Sequence, residues 1–119
     1  TATIKHLQNY IISRVDVTMK LISGTTRVKM TSLEWNDIES LLDEIDNNCI
    51  SKIRTLHKNI SAEDIRLCIM VRLGMSNPAI GAIYGITPSA VQHRKQTLKK
   101  KVFGVSDPHL TLSDVIKSL

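Results

Sequence analysis

Ser89, Gln92, His93 and Gln96 follow one another at steps of three, one and three residues, a spacing that gathers polar side chains on one side of a helix. Each can hydrogen-bond the edge of a base: a glutamine matches adenine, and a histidine can reach guanine. Around them stand Arg94, Lys95, Lys99, Lys100 and Lys101, and the run from 85 to 104 holds no Asp or Glu, although the chain of 119 residues carries 11. Such cations suit phosphate oxygens, which supply affinity and salt dependence rather than choice of sequence. Thr87 and Ser89 sit where the same helix should begin, and its exposed backbone N–H groups can bind a phosphate there.

A helix must carry this chemistry, and the flanking residues define one. Thr87 is the expected cap, Pro88 fits the first position, and the helix should run to about Phe103 with Gly104 closing it. At about 100° per residue, Val91, Leu98 and Val102 gather on a buried side, with Lys95 at its edge extending its charged tip outward. The opposite side carries Ser89, His93, Gln96 and Lys100, flanked by Gln92, Thr97 and Lys99, and has no apolar residue. A Lys-rich helix end can also be simply solvated and matched to the helix dipole, so "LKKK" gains meaning only from its setting.

Two helices should precede it. Ser61 caps "AEDIRLCIMVRL", with Glu63 and Asp64 in the first turn and Gly74 at the end; Ser76 caps "NPAIGAIY", with Pro78 in the first turn and Gly85 at the end. A steep crossing of the second and third helices needs one very small interior side chain, Gly81, and a turn residue tolerant of positive φ, Gly85. Ile80, Tyr84, Ile86 and Val91 should lock that pair, and Ile65, Leu67, Cys68, Ile69 and Leu73 should close the core from the first helix.

Residues 61–104, notably "GMSNPAIGAIYGITPSAV" with Val91, Leu98 and Val102 beyond it, resemble the LuxR/FixJ-type helix-turn-helix domain of bacterial transcription regulators. The chain departs from that family at Gly81, where Ala is usual, and at Ala90 and Gln92, where Thr and Lys are favoured; these positions bear on base preference rather than fold. The flanks "HLQNYIISRVDVTMK", "MTSLEWNDIESLLDEIDNN" and "ISAEDIRLCIMVRLGMSN" look like the cytoplasmic C-terminal part of membrane-anchored regulators with a tetratricopeptide sensor region. The resemblance implies a transmembrane helix and coiled coil ahead of Thr1.

The remaining segments read as helices too. Residues 1–23 carry Ile4, Leu7, Ile11, Val15, Met19 and Ile22 at helical spacing, a stripe that suits a dimerisation helix, since two half-sites raise the affinity of a short reading unit. Packing within one chain is the alternative use of that stripe. Residues 24–60 hold the linker "SGTTRVK" and an acidic helical region, where Thr31 and Glu34 form a capping-box pattern and Leu33, Ile38, Leu41, Leu42 and Ile45 supply an apolar face beside Trp35. "DNN" at 46–48 is expected to kink or break it. Glu34, Asp37, Glu39, Asp43, Glu44 and Asp46 read as a solvated face, with RNA polymerase or another basic partner as the alternative. Residues 105–119 offer a turn at Asp107-Pro108 and a short helix capped by Thr111.

Composition sets the outer bounds. A chain of 119 residues is one domain's worth, its 42% hydrophobic content favours a folded protein, and its net charge of +5 is concentrated away from an acidic pole. No apolar run reaches the roughly 18 to 20 residues of a membrane span, so no membrane contact by this fragment and a cytoplasmic location are expected. Cys49 and Cys68 fit reduced, buried thiols, and His6, His57, His93 and His109 show no metal-ligand spacing. Without a glycine-rich phosphate loop, a metal cluster or a recognisable Ser–His–Asp setting, neither an enzyme nor a cofactor is expected.

The reading is therefore an all-α fold: a three-helix helix-turn-helix unit at 61–104, preceded by a hairpin-like helical region and the long N-terminal helix. The expected function is a DNA-binding transcription regulator, acting as a homodimer on double-stranded DNA. The alternative is a protein-interaction module that keeps the fold without DNA binding.

Overall fold

The computed structural model describes residues 30–119. The dimerisation stripe of Ile4, Leu7, Ile11, Val15, Met19 and Ile22 lies outside the described residues. Within them the chain is all-helical, with six helices and no strand: α1 (Ser32–Ile45), α2 (Cys49–Leu56), α3 (Ala62–Arg72), α4 (Asn77–Tyr84), α5 (Pro88–Lys101) and α6 (Leu112–Lys117).

Each start is set by a side chain that satisfies backbone N–H groups a helix leaves open. Thr31 accepts from Glu34 N–H at 3.2 Å while the Glu34 carboxylate accepts from Thr31 N–H at 3.1 Å, a complete capping box. Ser61, Ser76, Thr87 and Thr111 cap α3, α4, α5 and α6 in the same manner. The α1–α2 junction is a break: Asn47 and Asn48 both take left-handed conformations, with φ of 53° and 58°, which asparagine tolerates better than most residues. Asn48 makes no side-chain cap for α2. Asp43, one turn back in α1, does so instead, accepting from Ile50 N–H at 2.9 Å and Ser51 N–H at 3.1 Å.

The core is continuous from α1 to α6. Helix α3 sits at its centre, burying Ile65, Leu67, Cys68, Ile69, Met70 and Val71, and a helix apolar on nearly all sides must be covered on nearly all sides. Trp35, Ile38 and Leu42 from α1, Ile50 and Ile53 from α2, and Leu112 and Ile116 from α6 join the same cluster as Val91 and Leu98 of α5. The expected apolar face of α1 needs correction at its ends, because Leu33 and Ile45 are 76% and 69% exposed. Leu33 lies about 200° round the helix from Trp35, and Ile45 closes α1 just before the chain reverses.

The acidic stretch is less solvated than its composition suggests. Glu39 takes both ends of the Arg54 guanidinium, at 2.6 and 2.9 Å, which ties α1 to α2. Asp46 pairs with Arg72 and ties the end of α1 to the end of α3; hydrogen bonding from Arg72 holds the Asp46 carboxyl below its ordinary value. Cys49 and Cys68 are free thiols, and burial raises them to about 11 and about 12, well away from reactive thiolate. Among the described residues no helix is long and apolar enough to cross a membrane.

Candidate nucleic-acid interface

Helices α4 and α5 are joined by Gly85, Ile86 and Thr87 alone. Gly85 takes φ 69° at the end of α4 and donates its N–H to Gly81 O, a left-handed cap that a side chain would strain. Gly81 is the point of closest approach: a Cβ there would meet Ile86 O at 2.5 Å and Val91 at 3.5 Å. Any larger residue must push the turn away, so the absence of a side chain at 81 sets how tightly α5 folds back on α4. Asn77 adds a tie at the other end, donating from Nδ2 to Gln92 Oε1 at 3.1 Å. The Asn77 side-chain oxygen, Oδ1, is buried and has no hydrogen-bond partner among the described residues.

The outward side of α5 is narrower than the helical wheel alone indicates. Ser89, Gln92 and His93 are exposed, as are Arg94, Lys100 and Lys101. Gln92 accepts from Asn77 through an exposed hydrogen bond, a contact that a base edge can replace at little cost. Gln96 and Lys95 are half-buried and, with the exposed Gln92 at the rim, line a cavity of about 240 Å³ against Val71, Thr111, Leu112 and Ser113. Gln96 therefore faces the start of α6 instead of standing open beside His93. Burial also lowers the Lys95 ammonium below its ordinary value, because the interior disfavours its charged form.

Lys99 requires a full correction. It is 1% exposed, the single charged side chain buried among the described residues. Its ammonium donates to Asp107 O at 3.0 Å and Leu110 O at 2.8 Å, so it cannot meet a phosphate while those bonds stand. A signal was available, since Lys99 lies only about 80° from Val91 on the wheel. Whether that edge is covered depends on where residues 105–119 fold.

Thr87 likewise serves the fold: its hydroxyl accepts from Ala90 N–H at 3.1 Å and its carbonyl from Val91 N–H at 3.1 Å. Pro88 has no N–H, so the start of α5 offers a phosphate fewer donors than an uncapped turn.

Arg94 is held in a way its spacing did not reveal. Its guanidinium lies 5.1 Å from the centre of the Tyr84 ring, a cation–π distance that orients the charge while leaving it accessible. Burial raises the Tyr84 phenol to about 12, so it stays neutral there. Tyr84 and Arg94 belong to a groove of about 610 Å³ between α3 and α5, with Leu67, Leu98 and Val102 as its apolar floor and Glu63 and Asp64 on the far wall. Glu63 is paired with Arg66 at 3.1 Å, and Arg66 lies over Trp35 at 5.6 Å. Among the described residues no group of three or more His, Cys, Asp or Glu could hold a metal ion.

The arrangement is a short helix braced against a longer one whose outer side offers hydroxyl, amide and imidazole groups between cations. The chain matches no protein-family model, no curated protein and no solved structure.

Proposed function

We propose that this chain is a sequence-specific DNA-binding transcription regulator in which α4 and α5 act as a helix-turn-helix and α5 enters the major groove. The observation that carries this reading is the close α4–α5 joint at Gly81 together with an α5 outer side free of apolar residues. An α-helix fits the major groove, where base edges present distinct donors and acceptors. Ser89, Gln92 and His93 are the base-reading side chains, and Arg94, Lys100 and Lys101 the phosphate contacts. The resemblance of residues 61–104 to the LuxR/FixJ type supports the same assignment. Pairing of two copies through residues 1–23 would supply two half-sites.

The interaction-module reading loses one of its supports, because Glu39, Asp43 and Asp46 spend their carboxylates on bonds inside the chain. The test is selection of bound sequences from a random DNA pool, followed by mobility shift of the selected site at two salt concentrations. Enrichment of a defined site, with affinity falling steeply as salt rises, is expected. Recovery of an unenriched pool would exclude sequence-specific reading.

A further inference from the structure

Lys99 has an unusual burden for a buried lysine: among the described residues no carboxylate is bonded to it. Its two acceptors are carbonyls of one turn, Asp107 O and Leu110 O. That turn is closed on itself, with Leu110 N–H donating to Asp107 O at 3.2 Å and His109 N–H to the Asp107 carboxylate at 2.9 Å. The Lys99 backbone holds the same segment, since Val105 N–H donates to Lys99 O at 3.0 Å. Helix α6 then packs back with Leu112 and Ile116 in the core, and Thr111 and Ser113 come to lie beside Lys95 and Gln96.

We infer that Lys99 is a positioning residue that locks residues 105–119 along one edge of α5 and so decides which α5 side chains can reach a base. This rests on the DNA-binding reading above. With the segment locked, Gln96 and Lys95 are half-buried against the start of α6, Gln92 stays exposed at the rim of the same cavity, and the exposed reading side narrows to Ser89, Gln92 and His93. An ammonium suits the task because it carries several donors on a flexible stem, enough to hold two carbonyls that face the same point. Without it the Leu110 carbonyl loses its donor, and a partly buried acceptor left unpaired favours opening of the turn. An opened segment would bare a cation and an amide on α5, adding phosphate attraction without adding correct base contacts.

The test compares the parent chain with Lys99→Met, which keeps an unbranched side chain of similar length and removes the donors. Amide exchange at Val105 and Leu110 should speed up by roughly tenfold or more in the variant. Its log–log salt slope for DNA should steepen by about one contact, and its ratio of specific to non-specific affinity should fall by roughly tenfold. Adding Lys95→Ala to Lys99→Met should restore the parent slope. A merely structural role would weaken both affinities together and leave the slope unchanged, and that result overturns the inference. In the parent background, Lys95→Ala and Gln96→Ala should leave slope and site preference unaltered. If either shifts them as Lys100→Ala does, the covered edge is wrong, even if Lys99→Met fails to fold. Absence of any DNA binding by the parent chain would sink the functional reading and this inference together, whereas binding with an unchanged ratio in Lys99→Met sinks the inference alone.

Discussion

The acidic helix α1 and the basic helix α5 look like mirror images in composition, and the folded chain treats them differently. In α1 and at its C-terminal cap three carboxylates work inward: Asp43 caps α2, Glu39 holds Arg54 and Asp46 holds Arg72. Along α5, Arg94, Lys100 and Lys101 stay exposed, while Lys99 alone is taken into the interior. A run of like charge thus has no single meaning. What each charge does depends on whether a complementary group from another element comes within hydrogen-bond reach, since an exposed pair contributes little and a bare surface cation remains available to a partner.

The largest expected effect separates the two helices by readout. Changing Arg94, Lys100 and Lys101 together to Ala should lower affinity for a selected DNA site by roughly 100-fold at moderate salt and flatten the salt slope by about three contacts. The melting midpoint should shift little, as for most surface substitutions. Unaltered DNA binding in this variant would erase the contrast between the helices.

Asp43→Ala should do the reverse. Removing the carboxylate that caps α2 should cost about 1–2 kcal/mol in denaturant unfolding, with DNA affinity per folded molecule preserved. A smaller and pH-dependent effect should come from Asp46. Its folded carboxyl titrates below the ordinary value of 3.8 because Arg72 bonds it. Its contribution is therefore complete above 3.8 and lost as pH falls through the lower folded value. The stability gap between the parent and Asp46→Asn should close on acidification from roughly pH 5 towards pH 2; a gap that widens instead would show that the pair is not what holds α1 to α3. Smallest of all, Arg54→Lys keeps the charge but loses the two-point grip on Glu39, and about 0.5 kcal/mol is expected because the Arg54 side chain is 48% exposed and solvent screens the pair. A double-mutant cycle with Glu39→Gln would measure it.

Much of the local architecture was legible in the residues themselves. Thr31, Ser61, Ser76, Thr87 and Thr111 all cap the helices expected of them, and Gly74, Gly85 and Gly104 stand at positive φ where helices were expected to stop. The close contact at Gly81 was legible too, because its partner Ile86 is five residues away and the turn between them is short. The candidate site was legible in its elements and less so in its membership. Gln96 and Lys99 belong to the same polar series as Ser89 and His93, and only the cover of residues 105–119 sets them apart.

By itself, then, the sequence determined where helices begin and end, that they are amphipathic, and which residues of α5 are polar. Those properties arise from hydrogen bonds and side-chain directions within one or two turns, so neighbouring residues suffice to specify them. The tertiary structure decided which charges are spent. Asp46 meets Arg72 across 26 residues and Glu39 meets Arg54 across 15, while Lys99 disappears beneath a turn that follows its own helix. Burial and ion pairing depend on which distant segment arrives to cover a side chain, and no periodicity along one helix contains that information.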